Sequence, residues 1–387
     1  MKILQVSFMD PLGSNSQGLE AVIAELSYNL INMDHEVTVL YASDKDILKK
    51  TQIGITLGIK VPRIKILANK GENIIRKLIY NSKVKKYIKK NGNTFDIIHV
   101  HGDNGGNNLL KNYNSIFTLH GFGLVGKKHK NKLINLILKN FISRYELLSL
   151  RNAKIVTAVS NKVSISAKSY FSGKIKVIPN GIDVNKYYPV DKTHKTSLRS
   201  MLGMSEDCIH VLFIGTDPFI KGLDLAISSI DQLVSDDSKF KIKLDVIGID
   251  EKNFNLKDQK LRTFVSFLGP IYGLKKVQII QASDIFIFPS RGDAFSISVL
   301  EAMGCGIPSI VSEFAGIVEI LKNFSNSIIV KENKIEDYAI AIEKLITDTN
   351  LYNKISENGK SFTKSLDWKE ITKVYISLYE KIQPQKD

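Results

Sequence analysis

The residues best suited to chemistry lie in the stretch PSRGDAFSISVLEAMGCG, positions 289–306, where two carboxylates, Asp293 and Glu301, flank a loop of small residues. The apolar run IFIF before Pro289 predicts a buried strand, and SISVLEAM predicts a helix that begins near Phe295. Open α/β sheets bind ligands where the carboxyl end of a strand meets the amino end of a helix, and backbone N–H groups there favour phosphate. Because carboxylates repel an anion, Asp293 and Glu301, which would flank the phosphate, must bind another part of the ligand.

A simpler interpretation makes Asp293 a loop-capping residue and Glu301 a residue on a solvent-facing helix. Leu300 and Ala302, on either side of Glu301 in an apolar segment, argue against the second part.

Alternation of short β-rich runs with helical patterns predicts an α/β protein with two doubly wound domains. The 387 residues exceed one ordinary core. We predict an N-terminal Rossmann-like domain over 1–185, a C-terminal one over 186–365, and a final helix over 366–387 that packs back toward the N-terminal domain.

The two cysteines, Cys208 and Cys305, exclude a disulfide framework and fit a reducing cytoplasm. The N-terminal MKILQVSFMD is too short for a signal peptide and predicts a first buried strand. The longest apolar segment, LINLILKNFISRYELLSL, is interrupted by polar residues, so we expect no membrane span.

The positive charge is confined to the first half of the chain. Residues 1–185 contain 28 Lys+Arg and 12 Asp+Glu, whereas residues 186–387 contain 26 and 27. A lysine-rich composition on solvated helices would not produce this split, so an anionic partner is favoured. With few arginines, an anionic membrane fits better than nucleic acid, and Val84, Tyr87 and Ile88 would add apolar contacts between clustered lysines.

Several motifs together resemble the family 4 glycosyltransferases of the GT-B fold, nearly from end to end. The strongest is PSRGDAFSISVLEAMGCGIPSIV. Their order and spacing are specific, although each is weak alone: VTAVS, VIPNGID, FTLHGFG, FIGTDPFIKG and AGIVEIL. The resemblance implies two Rossmann-like domains that face each other across a cleft, with the basic first domain binding the acceptor and the second binding a nucleotide diphosphate sugar.

The resemblance also implies roles for the residues of the second half. Glu301 would accept hydrogen bonds from two ribose hydroxyls, which suits an acceptor-only group. Asp293 would hold hydroxyls of the transferred sugar, and Lys221 would stabilise the departing diphosphate. The backbone of Ala294, Phe295 and Ser296 would meet the phosphates, near Gly215 and Thr216.

Two positions depart from the family pattern. Asp293 stands where glutamate is usual, which shortens its reach, and Thr216 stands where arginine is usual, which removes a cation. Arg291 either replaces that cation or is a solvated loop arginine.

In the first half, Gln17 and Gly18 lie where the family usually has a glycine pair on the acceptor side, and only the second glycine is kept. The spacing of the glycines in this loop disfavours a dinucleotide oxidoreductase. His120 matches a histidine that faces the donor sugar. His99 and His101 would share one side of a strand, but no third metal ligand is evident, and the family generally needs no metal.

The resemblance implies a retaining sugar transferase that uses a nucleotide diphosphate sugar as co-substrate, with no cofactor and no metal. The expected acceptor is a lipid-linked saccharide or another surface-glycan precursor, and the expected location is cytoplasmic, on the inner face of the cell membrane. The alternatives are a non-catalytic GT-B subunit that binds a nucleotide sugar and a nucleotide-sugar epimerase. A nucleic-acid binder is disfavoured.

Overall fold

The computed structural model describes residues 1–12, 18–61, 69–102, 108–121, 146–235, 240–254, 256 and 258–383. The chain forms two compact units. Unit 1 contains Met1–Gly181 and Trp368–Asp387, and unit 2 contains Ile182–Asp367. The predicted divisions fall after residues 185 and 365, whereas the boundaries of these units fall after residues 181 and 367. The assignment of acceptor binding to one unit and donor binding to the other stays a prediction.

Unit 1 is built on a sheet of eight described strands in the order β3-β4-β2-β1-β5-β6-β7-β8. All pairings are parallel except that of β3 with β4. The strands are β1 Lys2–Val6, β2 Glu36–Ser43, β3 Ile47–Thr51, β4 Gly54–Lys60, β5 Ile97–His101, β6 Ser115–Leu119, β7 Ile155–Ala158 and β8 Ile175–Val177. The helices before the second unit are α1 Leu19–Asn32, α2 Asn69–Asn91 and α3 Asn161–Lys168, with 3-10 turns at Gly92–Thr94 and Asn108–Asn112.

Unit 2 has six described strands, all parallel, in the order β11-β10-β9-β12-β13-β14. The strands are β9 Ile209–Ile214, β10 Ile242–Ile247, β11 Val265–Gly269, β12 Ile285–Phe288, β13 Ser309–Ser312 and β14 Ile328–Val330. The helices are α4 Lys192–Leu202, α5 Leu223–Ser235, α6 Gly273–Ala282, α7 Ile297–Gly304, α8 Ile335–Thr347 and α9 Thr349–Lys364, with 3-10 turns at Glu251–Asn253, Gln259–Thr263 and Gly316–Ile320.

These sheets confirm the predicted α/β class. Strands β5, β6, β12 and β13 are buried along their whole length, as strands covered by helices on both faces must be. Phe213, Val246 and Ile287 of three neighbouring strands are fully buried in one core of unit 2. In each sheet the strand order turns between two central neighbours, at β1/β5 in unit 1 and at β9/β12 in unit 2. Such a switch point is where a doubly wound sheet opens a crevice for ligand.

The last helix, α10 Trp368–Ile382, belongs to unit 1. Trp368, Tyr375 and Tyr379 are buried, so aromatic side chains at helical spacing hold the helix to the unit. In the part of the chain that the structure describes, no helix combines the length and the apolarity needed to cross a bilayer.

Strand β3, at one edge of the sheet, and its neighbour β4 have no counterpart in the sequence prediction. A second correction concerns helix α2, where Val84 and Ile88 are fully buried in the core. They cannot give the apolar contacts to a membrane that the sequence suggested, whereas Tyr87 keeps part of its surface exposed.

Candidate active site

Lys221 and Asp293 form an ion pair at the switch point of unit 2. Lys221 follows β9 and Asp293 follows β12, and these two strands are neighbours in the sheet. The two loops are joined by backbone contacts, since the N–H of Arg291 donates to the carbonyl of Ile220 at 2.8 Å. Gly222 has a positive φ of 75° and lies against the carbonyl of Pro289, where any side chain would collide. The sheet and the loop packing together bring the cation and the carboxylate into contact.

The loop that contains Asp293 is fixed by hydrogen bonds to both the side chain and the backbone of that residue. Its Oδ1 accepts the N–H of Phe295 at 2.8 Å, and its backbone carbonyl accepts the N–H of Gly316 at 3.0 Å. With one carboxylate oxygen on the backbone and the other on Lys221, Asp293 has a defined orientation. The capping interpretation is therefore correct in part, because Asp293 closes its own loop as well as pairing with Lys221.

Ser296 is the most unusual residue of the loop. It precedes helix α7, and its φ of 72° and ψ of 70° place it in the left-handed region, which is costly for a residue with a side chain. The residue is 7% exposed, and its hydroxyl oxygen has no hydrogen-bond partner within the described residues. A buried, unpartnered hydroxyl at a helix N-terminus provides a donor for an anionic ligand. Helix α7 begins at Ile297, two residues later than predicted.

Glu301, in the second turn of helix α7, is buried, and each of its two carboxylate oxygens contacts a side chain. The Tyr187 hydroxyl donates to its Oε1 at 2.7 Å, and Lys276 Nζ lies 2.5 Å from its Oε2. Gly304 allows this arrangement, because an added Cβ would meet the backbone oxygen of Tyr187 at 3.0 Å. Each carboxylate oxygen has two lone pairs and uses one here, so Glu301 can still accept two more hydrogen bonds. The interpretation of Glu301 as a solvent-facing residue is wrong.

The remaining predicted residues of unit 2 surround Lys221 unevenly. Gly215 packs so closely on the Lys221 stem that an added Cβ would lie 2.9 Å from it, and Thr216 is exposed. Arg291 forks onto Asp224 with contacts of 2.8 and 2.6 Å and stacks on Phe219. The pKa of Arg291 is raised, chiefly by that hydrogen bonding. Its charge is thus already balanced by Asp224, and a role toward a phosphate stays a prediction.

Two partners in this site were not found from the sequence. Tyr187 lies in a turn-rich segment, and Lys276 lies on helix α6 among ordinary helical residues. Neither has a motif that connects it to Glu301. Only the packing of α6 and of the 182–187 segment against α7 places them there.

In unit 1, the predicted residues fall at the switch point of that sheet. Gly18 precedes helix α1 with a φ of 58° and open space around it, while Gln17 lies outside the described residues. His120 follows β6, and its Nε2 lies 3.0 Å from Nδ1 of His101 on β5. His99 and His101 share one face of β5 as predicted, with ring centroids 4.0 Å apart.

Burial keeps these three imidazoles neutral. It lowers the pKa of His99 and of His101 well below the ordinary value, with a further lowering from the neighbouring imidazoles, and it lowers the pKa of His120 to about 3. Although the three rings are adjacent, the described residues contain no group of three or more His, Cys, Asp or Glu arranged to hold a metal ion.

Comparisons with known proteins agree with this architecture. The family model for glycosyl transferases group 1 matches residues 195–362, and that for glycosyltransferase family 4 matches residues 16–186. An uncharacterised glycosyltransferase of Methanocaldococcus jannaschii is 30% identical over 61% of this chain and 60% of its own. The UDP-Gal:alpha-D-GlcNAc-diphosphoundecaprenol alpha-1,3-galactosyltransferase of Escherichia coli is 26% identical over 71% of this chain and 72% of its own. Among solved structures, sucrose-phosphate synthase from Thermosynechococcus elongatus has a TM-score of 0.80 at 19% identity, covering 98% of both chains.

The two Rossmann-like units have the GT-B fold of these structural neighbours. The chain belongs to the group 1, family 4 glycosyltransferases, whose two models together match most of its length. The matches span about half to two thirds of the length of several curated relatives.

The contact between Gly316 and the Asp293 loop leads to a prediction about stability. A Cβ on residue 316 would overlap the Ala294 carbonyl and lie 3.1 Å from the Asp293 carbonyl oxygen. Gly316→Ala should therefore lower the free energy of unfolding by about 1–3 kcal/mol, as overpacked sites do. Urea denaturation would measure it. Gly292→Ala is the matched control, because nothing lies within 4 Å of its added Cβ. Equal stability of the two variants would contradict the packing described here.

The neutral histidines predict how stability depends on pH. Their pKa values are lower in the folded chain than in the unfolded one, so the unfolded chain binds more protons below about pH 6.5. Stability should be constant above that pH and fall by about 1.4 kcal/mol per pH unit for each proton taken up as the pH decreases to 5.5.

Chemical denaturation between pH 7.5 and 5.5 would measure this slope. His99→Gln should reduce it by close to one proton, whereas the control substitution of exposed His194 by glutamine should leave it unchanged. An identical slope in His99→Gln and the parent protein would show that His99 does not stay neutral on folding.

Proposed function

We propose that this protein transfers a sugar from a nucleotide diphosphate sugar to a lipid-linked saccharide or another surface-glycan precursor. The observation that supports it most is the unpartnered Ser296 hydroxyl at the N-terminus of helix α7, beside the Lys221–Asp293 pair. Buried polar groups without partners are rare, and this one lies where the helix dipole favours a negative group. A diphosphate would supply the missing acceptor.

In this proposal, the Lys221–Asp293 pair is the resting state of two groups with separate tasks. When the donor binds, the Lys221 ammonium turns to the diphosphate and Asp293 accepts hydrogen bonds from hydroxyls of the sugar. The pairing keeps both charges compensated until then, since a buried unpaired charge is costly. Glu301, already oriented by Tyr187 and Lys276, would accept the two ribose hydroxyls with its remaining lone pairs.

The transfer step breaks the bond between the anomeric carbon and the diphosphate oxygen, which keeps the electron pair. The acceptor oxygen bonds to the same carbon, and its proton passes to the departing phosphate. Lys221 and the amides at the start of α7 stabilise the negative charge that grows on the diphosphate, and this stabilisation is what lowers the barrier. The proposal includes retention of configuration, as the family resemblance implies, and needs no metal because these groups already supply positive charge.

The acceptor class is proposed from the chemistry of the relatives and from the surface of unit 1. The relative from Escherichia coli is named for a diphosphoundecaprenol acceptor, which is a lipid-linked sugar. An enzyme acting on such a substrate has to work at a membrane, and we propose the inner face, with the protein in the cytoplasm.

Helix α2 offers a surface that fits this location. Its last three turns expose five lysines and contain no acidic residue. Beside it, strand β3 exposes Leu48 by 72%, and an apolar hollow of about 340 Å³ opens between β3, β4 and Tyr87. Cations next to exposed apolar side chains are suited to anionic headgroups.

The donor site is tested by nucleotide-sugar binding and turnover. A screen of UDP-, GDP- and ADP-sugars by thermal shift should find a donor that raises the melting temperature, because it binds only the folded protein. Glu301→Ala should weaken binding of that donor by roughly 10- to 100-fold, the loss expected when two donors lose a charged acceptor. Unaltered binding in a folded Glu301→Ala variant would remove the ribose from this position.

Lys221 should matter more for turnover than for binding, because the diphosphate gains charge in the transition state. Lys221→Ala should lower kcat by about 100-fold or more while it changes donor affinity less. The matched control is the alanine variant of Lys252, an exposed lysine of the same unit. Parent-like turnover in Lys221→Ala would exclude its role at the leaving group.

Membrane binding through α2 is tested with vesicles. The protein should sediment with vesicles that contain phosphatidylglycerol and not with pure phosphatidylcholine, and high salt should abolish binding. Anionic headgroups contribute on the order of 1 kcal/mol per lysine near the surface. Glutamines at Lys83, Lys85, Lys86, Lys89 and Lys90 should therefore weaken binding strongly.

The control for this experiment removes the same charge from exposed positions of unit 2, with glutamines at Lys241, Lys252, Lys331, Lys354 and Lys364. If both quintuple variants bind equally, or if binding ignores lipid charge, the lysines of α2 are an ordinary solvated face.

A further inference from the structure

Arg291 contacts the chain both before and after Lys221, and so spans the turn formed by residues 217–222 (the Lys221 turn). Its Nη1 donates to the backbone carbonyl of Phe219 at 2.7 Å and to Oδ1 of Asp224 at 2.8 Å. Its Nη2 donates to the other carboxylate oxygen of Asp224 at 2.6 Å. The guanidinium carbon also lies 4.4 Å from the centre of the Phe219 ring. One side chain thus holds the Lys221 turn at two points.

The backbone just before Lys221 is bound to the same segment of the chain. The carbonyl of Ile220 accepts the backbone N–H of Arg291 at 2.8 Å and the hydroxyl of Ser290 at 3.1 Å. Together with the Arg291 side chain on the preceding carbonyl, these bonds occupy both carbonyls that come before Lys221. The segment that donates them continues directly to Asp293, the ion-pair partner of Lys221.

Ser290 and Arg291 are held in turn from the opposite side. Asn333 has a φ of 51°, in the left-handed region that asparagine tolerates better than most residues, and its Nδ2 donates to the carbonyl of Ser290 at 3.2 Å. The hydroxyl of the buried Tyr338, on helix α8, donates to Asn333 Oδ1 at 2.6 Å, which fixes the orientation of the amide. The segment at 290–291 is therefore the anchored side of the contact, and the Lys221 turn is the side that it holds.

We propose that Arg291 is a positioning residue, which fixes the Lys221 turn so that the Lys221 ammonium meets the diphosphate of the bound donor. This inference rests on the proposed function. A lysine has a flexible four-carbon stem, so the direction of its ammonium depends on how firmly its backbone is held. In this role Arg291 does not replace the cation that is missing at Thr216. Its partner Asp224 is an anchor for the fork rather than a competitor of the diphosphate.

Removal of Asp224 has opposite effects on a positioning arginine and on a phosphate-binding one. It would free a phosphate-binding arginine for the diphosphate, whereas it disables an arginine that positions Lys221. We expect Asp224→Ala to lower kcat by about 10- to 100-fold, the loss typical of a misplaced catalytic group, with a smaller change in donor affinity. Asp224→Glu keeps two acceptor oxygens and should recover most of that loss. Tighter donor binding with parent-like kcat in Asp224→Ala would overturn the inference.

The matched control for Asp224→Ala is Glu336→Ala. Each substitution removes an acidic residue from the first turn of a helix of unit 2, Asp224 from α5 and Glu336 from α8. The loss of a favourable charge at a helix N-terminus is therefore the same in both. Glu336→Ala should keep the kcat of the parent protein. An equal loss of kcat in the two variants would assign the effect to the helix ends and overturn the inference.

Substitutions of Arg291 itself separate the shape of the fork from its charge. Arg291→Lys keeps the charge but loses the planar fork, so kcat should fall nearly as far as in Arg291→Ala. Adding Arg291→Lys to Lys221→Ala should lower kcat little further, because Arg291 acts through Lys221 and the two effects are coupled. Parent-like turnover in Arg291→Lys, or additive losses in the double variant, would show that Arg291 acts independently of Lys221 and overturn the inference.

Limited acetylation of lysines with acetic anhydride, measured by peptide mass spectrometry, tests the positioning without a donor. In the parent protein Lys221 is paired with Asp293 and only 24% of its side chain is exposed, so it should react slowly. Asp224→Ala should acetylate Lys221 several-fold faster and leave the rate at exposed Lys252 unchanged. An unchanged rate at Lys221 in the folded variant would overturn the inference. If no donor binds the parent protein, the proposed function fails, and the acetylation rates still decide whether Arg291 and Asp224 fix the Lys221 turn.

Discussion

The candidate site depends on one constraint, the parallel pairing of β9 with β12. Because both strands run in the same direction, their carboxyl ends lie at the same edge of the sheet, and the loops that follow must share that edge. Lys221 and Asp293 are far apart in sequence, yet each is a few residues beyond one of these strands. Reversing the strand order elsewhere in unit 2 would leave the pair intact, whereas separating these two strands would abolish it.

The loops at this edge are tightly packed, and one of their residues, Ser296, has a strained backbone. Gly222 has no room for a side chain against Pro289, Gly316 has none against Ala294, and Ser296 has a left-handed backbone despite its Cβ. Tight backbone packing of this kind fixes loop positions without side-chain flexibility, which preorganised sites require. Fully buried strands such as β12, to which the loops are connected, offset the cost of this strain.

The sequence predicted this part of the protein well because its signals are local. Each strand of unit 2 contains a short apolar run, such as IFIF before Pro289, and the two carboxylates lie where such a run is followed by a helical pattern. What it missed is decided by tertiary packing. Strand β3 is an exposed edge strand that contains two lysines, so it has no apolar run to detect. Lys276 reaches Glu301 only because two helices pack together. Val84 and Ile88 were assigned to a membrane surface because periodicity shows that they share a face and does not show which face is inside.

The two units compensate for polar side chains in their interiors in different ways. Unit 2 holds partly buried charges in pairs, Lys221 with Asp293 and Lys276 with Glu301. Unit 1 buries neutral groups, Gln5, His99 and His101, in a relay of hydrogen bonds, in which only the Gln5 Nε2 group has no partner among the described residues. Paired charges can exchange partners when a charged ligand arrives, because each keeps its charge after the exchange. A neutral relay has no net charge to exchange, and its only freedom is the direction of its protons. The paired charges of unit 2 can therefore be rearranged by a charged ligand, whereas the neutral hydrogen bonds of unit 1 hold strands β1, β5 and β6 and helix α10 in one arrangement.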